Sequence, residues 1–229
     1  DLDSASLEDV KSFYKRYYRP SNASISITGD IHPEDAINLV DKYFGDLPPG
    51  PPIDRFTHMD SPLTGTSSLI LEDNVSLTRL YLAWPTVPDF TAMQPAYDLL
   101  SMILADGRSS RLYKNLVYGK QIAKNVKAYQ DAQEIAGSFH ITSTCNHDTD
   151  SDVLQEELLT ELHGISSSPP NSHEIQRAFN RLESYHVRQL EKIGGFSGKA
   201  DQLNYYNIIA GDVSMINTDI DRYRHVSPQ

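Results

Sequence analysis

The chain has 229 residues and carries 31 acidic against 20 basic side chains, a formal net charge of −11 that argues against a nucleic-acid surface and for a soluble acidic protein. This length holds one large or two small domains with a core that needs no staples, and the single cysteine, Cys145, rules out an internal disulfide. No stretch approaches the about 18 consecutive apolar residues of a membrane span, Asp1-Leu2-Asp3 lacks the features of a signal peptide, and the missing initiator Met with the Ser227-Pro228-Gln229 end reads as a segment of something longer.

In chain order, Ser6 is placed to cap a helix with an acid, Asp9, at the third helical position. Val10, Phe13, Tyr14 and Tyr17 then recur at helical spacing until Pro20. Residues 22–28 alternate Ala23, Ile25 and Ile27 with polar residues, which predicts a strand broken by Gly29-Asp30. Pro33 suits a first helical turn, Glu34 and Asp35 suit its positive end, and Ala36, Ile37, Val40, Tyr43 and Phe44 form an apolar stripe. The four prolines and one glycine of residues 47–52 exclude helix and central strand, so they start a linker.

Beyond the linker, residues 67–71 and 76–84 are predicted strands, the second apolar enough to be buried, and residues 93–104 a helix. A polar loop opened by Gly107 leads to a helix over 111–117, then to strands over 123–130 and 137–144. Helices follow over 152–163 and 172–193, joined through Ser168-Pro169-Pro170-Asn171. Gly194, Gly195 and Gly198 interrupt the chain as a hinge or a tight bend, with the bend favoured. Asn217 is placed to cap a short helix through Tyr223, and Ser227-Pro228 resembles the start of another. That ending parallels the Ser-capped helix at the front of the chain, a hint of internal duplication.

Eight histidines and one cysteine call for a test against metal-ligand spacing. His173-Glu174 would begin an H-E-x-x-H motif only with His at 177, where Arg177 stands, and the inverted H-x-x-E-H form is absent. Glu183 and His186 form a single E-x-x-H pair, read as a surface contact because carboxylate-bridged dimetal bundles need two. His140, Cys145 and His147 are close in sequence, but in a strand residues 140 and 145 point to opposite faces. There is no G-x-S-x-G elbow, and Cys145 has no nucleophile signature. Gly107-Arg108-Ser109-Ser110-Arg111 offers either an anion-binding loop or a plain turn into a helix, and it lacks P-loop spacing. Tyr205 and Tyr206, flanked by Asn204 and Asn207, suit either a peptide-contacting surface or half-buried packing. Residue patterns alone therefore give an α+β protein without a complete catalytic site.

Several segments together resemble the pitrilysin/insulinase family of inverted-motif zinc proteases, which includes mitochondrial processing peptidase. The segment SLEDVKSFYKRYYRPSNASISITGD with HPEDAINLVDKYFGDLP is similar to the family's transition out of its zinc-bearing region. GRSSRLYKNLVYGKQIAKNV resembles the loop and helix of the next domain, and FSGKADQLNYYNIIAGD with DIDRYRHVSPQ resembles bacterial members built from two halves. The resemblance implies an α+β fold with a mixed, largely antiparallel sheet and helices packed on one face, the LuxS/mitochondrial processing peptidase-like metallohydrolase fold. It implies that residues 1–52 end the zinc-bearing domain and that residues 53–229 form a second family domain, truncated before its last elements.

In the family, zinc is held by two histidines of H-x-x-E-H and a distant glutamate. None of these maps onto this sequence, so no catalytic, cofactor or metal residue is carried over. The loop at 106–110 stands where the processing peptidase has a long glycine-rich substrate loop, but is short and holds one glycine. Ser138, Phe139 and His140 stand near where the companion half of active members has an arginine and, further on, a tyrosine, which favours the zinc-bearing half. The implied role is a non-catalytic, substrate-enclosing domain of a zinc metalloendopeptidase, with zinc in the parent and none in this fragment. The implied partners are a peptide substrate and the companion half, with no nucleic acid and no membrane insertion, and a periplasmic or secreted bacterial parent. The alternative is an inactive scaffold or partner subunit of the same family.

Overall fold

The computed structural model describes residues 4–57 and 63–228. Asp1-Leu2-Asp3 and Gln229, used above in reading the two ends of the chain, lie outside the described residues. The chain divides into two units: Asp1–Thr57 with His186–Asn217, and His58–Tyr185 with Thr218–Gln229.

In the first unit, helix α1 (Leu7–Tyr17) starts at Ser6, whose hydroxyl accepts from the Asp9 amide while the Asp9 carboxylate accepts from the Ser6 amide. This reciprocal capping box is the one legible in the sequence. Pro20–Asn22 follows as a 3-10 turn, and α2 (Pro33–Phe44) opens with Pro33 at its first position. Neither α1 nor α2 buries a residue, and Phe13, Tyr14, Ile37, Tyr43 and Phe44 are all exposed. The strand expected over 22–28 does not form. Its backbone from residue 23 is irregular, with Ile25 and Ile27 outward, because a strand exists only where a neighbour completes its ladder. Side chains hold this segment instead: Ser24 Oγ donates to Asn204 Oδ1 at 2.8 Å, Asn207 donates to Ser24 at 3.1 Å, and Thr28 Oγ1 donates to the Ile193 carbonyl at 3.1 Å. The glycine segment makes the expected bend, with Gly195 at φ +78° and the Gly198 amide bonded back to the Gly195 carbonyl. Helix α6 (Lys199–Tyr205) and a π-helical turn, Tyr206–Ala210, follow it.

The second unit is built on three strands, β1 (Arg79–Thr86), β2 (Ala123–Ala132) and β3 (Gly137–Cys145), in the antiparallel order β1-β3-β2. Helices α3 (Gln94–Ala105), α4 (Ser151–Ser167) and the first part of α5 (Ser172–Leu190) belong to this unit, with α7 (Ile220–Arg224) near the end. As the middle strand, β3 buries Phe139, Ile141, Ser143 and Cys145 on one face, where Leu104, Leu112, Leu116, Leu154 and Leu158 close the core. Gly137 has to be glycine, since a Cβ there would lie 2.2 Å from the Val87 carbonyl oxygen. The helix expected over 111–117 runs into a π-helical segment, Tyr113–Gly119, whose exit bonds the Lys120 amide to the Asn115 carbonyl five residues back.

The strand expected over 67–71 is absent: Leu69, Ile70 and Leu71 are 81%, 85% and 82% exposed, and no ladder engages their backbone. The short helix expected after Asn217 begins two residues later, at Ile220, and has no side-chain cap, because residues up to Asn217 are taken up by a 3-10 turn, Val213–Asn217. Ser227 and Pro228 lie in irregular chain.

Candidate functional site

Three features of the second unit combine polar chemistry with defined geometry. The first is the loop at 106–111. Gly107 sits at φ +78°, the left-handed region that turns the chain, and Ser110 Oγ donates to the Gly107 carbonyl at 2.6 Å. Helix α5 holds this loop through residues spaced three and four apart on one face. Glu174 accepts from Arg111 Nε and Nη2, both at 2.7 Å, while Arg111 also donates to the carbonyls of Ser168 and Pro169. Arg177 donates to the carbonyl and hydroxyl of Ser109, and Arg181 pairs with Asp106. The two-pronged Arg111 contact pulls the Glu174 carboxyl down to about 2, aided by the Asn171 amide. Arg111 is therefore committed to a carboxylate of its own chain, and the segment is a clamped turn into a helix, not an anion-binding loop. His173-Glu174 likewise resolves as packing: Asn171 and Glu174 exchange side-chain to backbone bonds at 3.0 Å, a second capping box. The N-x-x-E spacing of residues 171–174 is the sequence signal of that box.

The second feature is a buried polar cluster at the end of the unit. Tyr223 Oη donates to Asp98 Oδ2 at 2.8 Å, and Arg222 donates to Gln94 Oε1, to the Thr91 carbonyl and to Asp219. Burial raises the Asp98 carboxyl to about 6, partly offset by the Tyr223 bond and reinforced by Asp89. The sequence reading missed Asp98, which sits among the apolar residues of α3 where its only signal was a carboxylate in an otherwise buried stripe.

The third feature is the sheet face opposite the core. Register sets Tyr81, Thr142 and Lys127 in one row across the sheet, and Ala83, His140 and Tyr129 in the next, with the β3 residue in the middle of each. The His140 ring stacks on Tyr129 with centroids 4.8 Å apart, and its Nε2 lies 2.7 Å from Ser138 Oγ. Arg79 Nε donates to Thr144 Oγ1 at 3.2 Å.

These positions decide the fate of the candidate metal residues. His140 is on the outer sheet face, Cys145 is buried on the core face, and His147 is exposed beyond the strand, so the three share no centre. Burial, with the nearby Asp150 charge, raises the Cys145 thiol and favours its neutral form. Glu183 accepts from Arg224 at 3.2 Å. Among the described residues no group of three or more His, Cys, Asp or Glu is placed to hold a metal ion. No described helix is long and apolar enough to cross a membrane. Of the paired Tyr205 and Tyr206, Tyr206 is buried, and Asn204 and Asn207 are engaged by Ser24.

An antiparallel sheet with its helices on one face and an open polar face on the other defines a helix-backed α+β domain. The family model described as Peptidase M16 inactive domain matches residues 4–182, and the chain belongs to that family. Zinc protease PqqE of Helicobacter pylori is 24% identical over 208 residues, covering 86% of this chain and 45% of its own length. An uncharacterized zinc protease of Rickettsia felis is 26% identical over 194 residues, covering 84% and 45%. This chain thus spans about half the length of these relatives. The crystal structure of a Helicobacter pylori protease superposes with a TM-score of 0.87 at 20% identity, over 99% of this chain and 54% of that one. That of a peptidase M16 inactive domain from Pseudomonas fluorescens gives 0.80 at 19%, over 98% and 52%. Both likenesses bear out the fold expected from the sequence.

Proposed function

We propose that this chain is a non-catalytic, substrate-enclosing domain of a zinc-dependent metalloendopeptidase. The observation that carries the proposal is the match of residues 4–182 to the inactive domain of the M16 peptidases, in a chain similar to proteins named zinc proteases. On this reading, residues 1–52 end the preceding, zinc-bearing domain, and residues 53–229 supply most of the next. Zinc and the water-activating glutamate belong to the parent outside this chain, and no catalytic or metal residue lies within it. The companion half, in the same polypeptide or complex, closes the chamber around the peptide. The exposed apolar faces of α1 and α2 suit the edge of a domain whose remaining part covers them.

The test is zinc stoichiometry and chelator-sensitive cleavage of a quenched fluorescent peptide, run in parallel on this chain and on the full-length parent. Zinc and cleavage in the parent only are the expected result. Stoichiometric zinc or cleavage by this chain alone would overturn the proposal. A parent that binds no zinc and cleaves nothing would make the protein a scaffold or partner subunit.

A further inference from the structure

We infer that the outer face of the β1-β3-β2 sheet is a peptide-contact surface selective for acidic side chains; the inference rests on the substrate-enclosing reading above. The charge distribution carries it. The three strands hold three of the 20 Lys and Arg residues and one of the 31 Asp and Glu residues, so they have a formal charge of +2 while the rest of the chain has −13. On an acidic protein a local field of opposite sign selects ligands the remaining surface repels.

Alternation along the strands places Arg79, Lys127 and Asp131 on the open face, a net charge of +1, while Lys124 stands at the bulge between Ala123 and Asn125. Arg79 is anchored to Thr144, and Lys127 lies across β3 beside Thr142, so the two cations flank the central strand diagonally, about 12 Å apart in backbone position at ordinary strand spacing. Among the described residues no carboxylate pairs with either. The one acid on this face, Asp131, stands at the far end beside Ser138. Tyr81 and Tyr129, 67% and 46% exposed, lie along the same face and supply flat apolar surface with hydroxyl tips. Two cations at one end and aromatic rings beside them suit an extended peptide that sets a carboxylate near Thr142 and rests its neighbouring side chains on the tyrosines.

The experiment is fluorescence anisotropy with the whole 229-residue chain and two fluorescein-labelled peptides of alternating Glu and Tyr or alternating Gln and Tyr. The Glu peptide is expected to bind about fivefold tighter at low salt and to lose that advantage at high salt. Arg79→Glu with Lys127→Glu is expected to reverse the order. Because Arg79 also bonds Thr144, Lys127→Glu alone, at an exposed position, is the check that the effect is not unfolding; it is expected to remove at least half of the preference with an unchanged melting profile. Equal binding of the two peptides, or a preference untouched by either variant, would overturn acid selectivity while leaving the enclosing role standing. Binding of neither peptide would also overturn it, with the enclosing role judged separately by cleavage in the parent. Oligodeoxythymidylate binding as tightly as the Glu peptide through the same two residues would make the face a polyanion site and overturn the peptide assignment.

Discussion

The two units of this chain follow the same sequence rules and end in different states. Helix α3 of the second unit buries Leu99, Ile103 and Leu104, and the sheet beside it buries Phe139 and Ile141. Helices α1 and α2 of the first unit have apolar stripes as regular as any in the chain, yet bury no residue. Periodicity therefore reports which face of a helix is apolar, and says nothing about what covers it. Local polar devices behave in the opposite way. A capping box forms at Ser6 on an exposed helix and at Asn171 on a packed one, because each needs only residues three apart.

The largest test of this contrast is truncation of matched apolar residues. Leu116→Ala, at 0% exposure, should cost about 3 kcal/mol in urea denaturation, whereas Phe13→Ala, at 58%, should stay within about 0.5 kcal/mol. Equal losses would mean that α1 is covered in this chain, and the contrast would fail.

The clamp on α5 comes next. Glu174→Gln should cost about 2 kcal/mol at neutral pH, allowing for the solvent screening of a partly exposed pair. Because the folded carboxyl is held at about 2, below its ordinary 4.5, this stabilisation is complete above about 4.5 and is lost as pH falls toward 2. Denaturation across that range should show the wild type and the variant converging on the acid side.

Asp98 runs the other way. Its folded carboxyl is raised, so the native state holds the proton more tightly, and stability falls as pH rises from about 4 through 6 and levels off above. Asp98→Asn keeps an oxygen acceptor for Tyr223 without the charge, and should stabilise the protein by about 1 kcal/mol at pH 8 while giving no gain at pH 4. A gain that persists at pH 4 would place the effect in packing instead of charge. The smallest effect belongs to Ser6→Ala. Its loss should be visible only as faster amide hydrogen exchange in the first turn of α1, with the global unfolding midpoint unchanged.

Recognition of the family rested on segments whose local order is strong: the capped first helix, the GRSSRLY turn, and the glycine bend before α6. The strands over 123–130 and 137–144 were legible because each sets one face against the core and one face outward, and β2 and β3 are neighbours in both sequence and space. Residues 22–28 and 67–71 carried the same kind of apolar signal and formed no strand in this chain, since a ladder needs a partner that the segment's own residues cannot specify. The site was less legible than the fold. His140, Cys145 and His147 drew attention by type, and the period of a strand set the first two on opposite faces, as β3 does. Arg111 and Glu174 are 63 residues apart, and nothing local announced that they would meet.

By itself, then, the sequence determined most of the helices, the Ser6 cap, the fold class and the family, because these depend on contacts within a few residues or on motifs of fixed spacing. The tertiary structure alone decided which stripes are covered, that the Gly107 loop is a clamped turn, that Asp98 is buried against Tyr223, and that Arg79 and Lys127 stand on the same open face of the sheet. Each of those outcomes depends on residues distant in sequence converging in space, where burial, pairing and field are set by neighbours that no local pattern names.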